Sequence, residues 1–194
     1  MPFEPFRRIQ HFVSISRSYD IARRYFVVNS FDGALTMLGL LLGFHVSKGA
    51  NIEVVIQTCL GAAIALAMSG LTSAYLSEKA ERKREFKKLQ DAMVSDLSGS
   101  AQDKASRWVP IWVALINGLS PLLMSLIIIT PLWLAQNGFE LPLGPFQSAI
   151  GVAFGLIFLL GVFLGQVSGT FWLFSGLQTL IIALITAFLI YLIA

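Results

Sequence analysis

Apolar stretches long enough to cross a lipid bilayer occupy most of this chain, and they leave few folds open to it. A spanning helix needs about 20 mostly apolar residues. Five segments meet that length: 25–46, 52–77, 108–136, 146–167 and 171–193. Inside hydrocarbon every backbone N–H and C=O must be satisfied within the protein, so each segment is predicted as a helix. Charged residues make up 13% of the chain, against about 25% in soluble domains. The expected fold is an all-α, multi-pass integral membrane protein with five transmembrane helices. Its membrane domain covers 25–194, after an N-terminal segment at 1–24.

The breaks between spans carry turn and charge signals. The first hairpin turns at Ser47-Lys48-Gly49-Ala50-Asn51. Spans three and four are separated by the Gly- and Pro-rich stretch 137–145, and spans four and five meet at the weakly polar stretch 165–170. Of the 14 Lys and Arg residues, only Lys48 lies outside two segments, the N-terminal 24 residues and 78–107. Basic loops face the cytosol. Five spans then put the N-terminus inside and the C-terminus outside. Phe3, Phe6, Ile9, Phe12, Val13 and Ile15 interleave with arginines, and 1–24 is expected to lie as an amphipathic helix on the inner membrane surface. In the short basic segment 78–107, Glu78 to Met93 reads as a helical extension of span two, and Ser95 to Ser106 as a loop.

Several function classes drop out. The net charge of +3 is accounted for by topology, so nucleic acid is not an expected partner. The single Cys59 cannot form an intrachain disulfide. The charged N-terminus lacks a cleavable signal pattern. P-loop, dinucleotide, zinc-site and nucleophile-elbow patterns are missing, so the chain is not expected to be an enzyme or to carry a cofactor. Nothing in it favours a cell membrane over an organelle membrane.

What remains is the small set of polar groups inside the spans. Asp32 is the only acid in its span. A charge at the centre of a span costs roughly 2.5–3.5 kcal/mol on insertion scales, which makes such a residue a candidate ion ligand or proton carrier. Asn29, Asp32, Thr36, Gly39 and Gly43 recur at helical spacing, so they share one face. Its polar half offers oxygens around Asp32, and the Gly39/Gly43 half invites another helix to approach closely. In span two, Glu53, Gln57 and Met68 lie on a similar face. A hard carboxylate with a soft thioether suits a borderline divalent ion such as Fe²⁺. In span three, Asn117 shares a face with Pro121, which frees a helix carbonyl. The transport pathway is therefore expected to use Asp32, Asn29, Thr36, Met68, Gln57, Glu53 and Asn117. Glu78, Glu81 and Glu85 share a face of the cytoplasmic extension. They can gather cations, or pair with neighbours such as Arg82 as a solvated helix. Gly151, Gly155, Gly161 and Gly165 make span four a close-packing helix.

The segment Phe31-Asp32-Gly33-Ala34-Leu35-Thr36-Met37-Leu38-Gly39-Leu40 resembles the first span of the vacuolar iron transporter family. The stretch from Ala67 to Lys79 resembles the end of that family's second span, and Gly176 through Leu192 its last span. The chain would be a short form, lacking the cytoplasmic metal-binding domain; Glu78, Glu81 and Glu85 would be its remnant. The resemblance implies export of Fe²⁺, or of Mn²⁺, from the cytosol in exchange for protons. It also implies a homodimer with the pathway between the first spans of two subunits. Asp32 takes the place of the family's transport Asp. Met68 stands two residues further from Tyr75 than the family's Met, a rotation of about 200° on an ideal helix. The metal ligands expected on this basis are Asp32 and Met68, with Glu78, Glu81 and Glu85 outside the membrane. Two other functions fit the residues: a non-transporting assembly or regulatory protein in which Asp32 holds helices together, and a passive channel for a small solute.

Overall fold

A computed structural model describes residues 18–47 and 51–193. Five helices contain every described span: α1 (Ser18–Val46), α2 (Ile52–Met93), α3 (Ala101–Gln136), α4 (Pro145–Ser168) and α5 (Trp172–Ile193). All five are long and apolar enough to cross a membrane, and no strand occurs among the described residues. The chain is thus all-helical with five candidate membrane spans. α1 runs unbroken across the boundary expected at 24–25, and residues 1–17 of the expected surface helix lie outside the described residues.

Helix ends follow local chemistry. Asn51 caps α2, its side-chain oxygen accepting from the Glu53 N–H at 3.0 Å. α3 stops in a Schellman turn. There Gly138 adopts the left-handed conformation (φ 83), and the N–H groups of Gly138 and Phe139 donate to the Ala135 and Leu134 carbonyls. α4 starts with Pro145 in its first turn and ends at left-handed Gly169, with the Thr170 N–H donating to the Gly165 carbonyl at 3.0 Å.

One boundary differs from expectation. The stretch 95–106 was expected to be a loop, yet α3 already begins at Ala101. The cause is a reciprocal cap. The Asp103 N–H donates to Ser100 Oγ at 3.2 Å, and the Asp103 carboxylate accepts from the Gly99 N–H at 3.0 Å.

The described chain divides into two compact units. The first comprises the start of α1 through Phe26 together with Met68–Leu119. In it Ile21 and Tyr25 of α1 pack against Ala105, Val109 and Val113 of α3. α2 and α3 are tied by Asn117, whose Nδ2 donates to the Gly70 carbonyl at 2.7 Å. A Cβ on Gly70 would sit 3.0 Å from the Asn117 carbonyl oxygen. Pro121, four residues on, has no N–H to offer that oxygen.

The second unit comprises Val27–Ala67 and Ser120 onward. Its core draws one face from each helix: Ala34, Met37, Leu38 and Leu41; Val55, Ile56, Cys59 and Ala63; Ile128, Ile129 and Leu132; Ala149, Ala153 and Ile157; and Ala183. α4 and α5 pack as a tight antiparallel pair. Gly161 and Gly165 lie against Thr179 and Ser175, and Gly176 against Phe158. Thr179 Oγ1 crosses between the helices to the Ile157 carbonyl at 3.1 Å. The remaining surface of α5 is apolar and exposed, from Leu173 to Ile193, as suits a face turned to lipid.

Candidate functional site

The conformation of α1 around Asp32 is set by the glycine beside it. A Cβ at Gly33 would stand 2.7 Å from Pro121 Cα, so this glycine lets α1 lie directly on α3. Ser30, Gly33, Ala34 and Met37 are buried on that side, and Asp32 is turned to the exterior. It makes no hydrogen bond or ion pair with any described residue. Asn29 and Thr36, one turn away on either side, are half-buried. The polar face predicted from spacing is therefore a surface of the single chain, with Asp32 at its most accessible point.

The small half of that face is barely used within the chain. Gly39 meets only Ile190 Cδ1, at 3.6 Å from where its Cβ would be, and Gly43 has nothing within 4 Å. Gly151 and Gly155 of α4 are likewise open, whereas Gly161 and Gly165 are packed. The closest approaches to α3 come at Gly33 and Gly70, which spacing did not single out. Ser30 was also missed. It is fully buried, and its hydroxyl has no hydrogen-bond partner among the described residues.

On α2, Glu53 and Gln57 are exposed near the helix start, and Gln57 Nε2 lies 3.5 Å from Glu53 Oε1. An acid in the first turn also complements the helix dipole. Met68 is 56% exposed, leaving its thioether accessible. Asn117 is buried, and its amide is spent on the Gly70 carbonyl. Asp32, Asn29, Thr36, Glu53 and Gln57 belong to one compact unit, Met68 and Asn117 to the other.

Glu78, Glu81 and Glu85 do not gather into an open cluster. Arg82 lies between two of them, with Nε 3.6 Å from Glu78 and Nη1 3.1 Å from Glu85. Glu81 is exposed. Burial pushes the Glu78 carboxyl above its ordinary range, and the Arg82 guanidinium pulls it partly back. Arg82 is thus paired with two of the three carboxylates. Among the described residues no group of three or more His, Cys, Asp and Glu side chains could hold a metal ion.

Chemically, α1 thus offers a carboxylate with no partner among the described residues, with amide and hydroxyl oxygens a turn away and a glycine-lined surface continuing beyond it. Comparison with known proteins yields no matching family model and no matching solved structure. A curated protein does match: the uncharacterized protein MJ0645 of Methanocaldococcus jannaschii is 30% identical over 173 residues, covering 88% of this chain and 87% of that protein. The chain belongs to the same family as this archaeal protein.

Proposed function

We propose that this protein is a secondary transporter that exports a divalent metal ion from the cytosol in exchange for protons, with Fe²⁺ as the preferred cargo and Mn²⁺ as the next. The observation that carries this reading is Asp32, a carboxylate exposed on a membrane-spanning helix with no partner among the described residues. Facing hydrocarbon, such a group is expensive. A proton removes its charge, and a divalent cation compensates it. The two compete for the same pair of oxygens, which is the elementary requirement for exchange. Asn29 and Thr36 are close enough along the helix to add neutral oxygen ligands.

The proposal includes a parallel homodimer in which two α1 faces meet. Asp32 from each copy would then line a shared path, and the open stretch of Gly39 and Gly43 would bring the helices close. The N-terminus and 78–107 lie on the cytosolic side, and the C-terminus lies outside. The absence of any bond from Asp32 to the rest of the described chain disfavours a role in holding its own helices together. Uptake of Fe²⁺, Mn²⁺, Zn²⁺ and Ca²⁺ into proteoliposomes under an imposed pH gradient tests the reading. Proton-coupled uptake of Fe²⁺ that is lost in Asp32→Asn supports it. Flux without proton coupling would indicate a channel, and no flux with only a lowered melting temperature in the variant would indicate an assembly protein.

A further inference from the structure

We infer that the α2–α3 pair binds the headgroup of an anionic phospholipid at the level where these helices leave the membrane. A pocket of about 470 Å³ opens there, lined by successive turns of both helices. Tyr75, Lys79 and Lys83 come from α2, and Asp103 and Arg107 from α3, with Phe86 and Pro110 as apolar walls. All belong to one compact unit.

Three features give the pocket its chemistry. The first is charge. Lys79, Lys83 and Arg107 face a single acid, Asp103, which Arg107 already holds through two hydrogen bonds of 3.1 Å. Neither lysine has a carboxylate partner among the described residues. Both are exposed, and Lys79 Nζ stands 5.1 Å from the centre of the Tyr75 ring. Two positive charges therefore remain for a ligand. The second is depth. On α2 the uncharged run 54–77 ends at Ser77, two residues before Lys79. On α3, Arg107 is the last charged residue before exposed Trp108. Basic and aromatic side chains at this boundary occupy headgroup level. The third is the mixed lining. A free phosphate ester needs only the cations, whereas a phospholipid also presents glycerol and upper acyl carbons, which Tyr75, Phe86 and Pro110 can cover. These features favour a lipid over a soluble anion, and the inference does not depend on what the protein transports.

The full-length protein in neutral detergent, titrated with short-chain phosphatidylglycerol or phosphatidylcholine and read by native mass spectrometry, tests this. The wild-type protein should retain phosphatidylglycerol preferentially. The double variant K79Q/K83Q should weaken that retention roughly 10–30-fold, and K87Q/K88Q, which removes the same charge outside the pocket, should leave it intact. Equal retention of the two lipids by the wild-type protein would overturn the inference, and that comparison needs no variant to fold. Equal losses in the two double variants would also overturn it, by reducing the effect to general charge. Displacement of the lipid by glycerol phosphate at equal concentration would overturn the lipid assignment.

Discussion

At the scale of single residues, the decisive contacts are made by groups that lack something. Gly33 lacks a Cβ where Pro121 backbone stands 2.7 Å away, and Gly70 lacks one 3.0 Å from the Asn117 carbonyl. Alanine at Gly33 cannot be absorbed by a side-chain shift and should destabilise the protein by about 1–3 kcal/mol. Alanine at Gly43, with open space around it, should leave the fold of the single chain intact. Thermal unfolding of the two variants side by side checks the contrast. Asn117→Ala removes the bond to Gly70 and should cost about 0.6–1.7 kcal/mol, the range for such bonds between membrane helices. Gly33 and Gly70 were not legible in the sequence as contact points, because a glycine's role depends on what stands opposite it. Asp32 was legible, since an acid in an apolar run stands out unaided. Its outward orientation was not, because spacing put it on one face with Asn29 and Thr36 without saying whether another helix covers that face.

At the scale of the helix, the ends carry information that hydropathy does not. The spans could be read from apolar length alone, and the continuation of α2 to Met93 from helical spacing. The start of α3 was hidden inside a Ser-rich stretch, although Ser100 and Asp103 stand at the spacing of a reciprocal cap. Ser100→Ala should cost about 1 kcal/mol, seen as faster hydrogen exchange in the first turn of α3. The Gly99 N–H, helped by Arg107, holds the Asp103 carboxyl below its ordinary range. Its contribution is therefore complete above the ordinary value of 3.8 and is lost as pH falls further. Protection against exchange in the same turn, relative to the intrinsic rate, should fall on acidification below that value in the wild-type protein but not in Asp103→Asn. The end of α2 is strained in a different way. Val94 occupies the left-handed region at φ 48, with the Ser95 N–H reaching the Gln90 carbonyl. A β-branched residue is ill suited to that conformation. Val94→Asn should stabilise the helix end by about 1 kcal/mol, measurable as a raised midpoint of unfolding.

For the whole molecule, the exterior poses the main physical question. Much of it is apolar, along α5 above all, and lipid satisfies that surface. The face of α1 with Asn29, Asp32 and Thr36 differs, being polar within a candidate span, with Asp32 exposed. A second copy of the chain, bringing its own Asp32, would shield this face from hydrocarbon and create a path for ions. With Cys59 replaced by Ala, a single cysteine at Thr36 should then cross-link two copies in the membrane. A single cysteine at exposed Ile181 of α5 should not. The most direct measurement of the central claim is Fe²⁺ uptake into proteoliposomes under a pH gradient, made with wild-type protein and with Asp32→Asn. The account predicts uptake coupled to proton flux in the wild-type protein, and its loss in the variant with thermal stability unchanged within about 0.5 kcal/mol. Undiminished proton-coupled uptake by Asp32→Asn would contradict it.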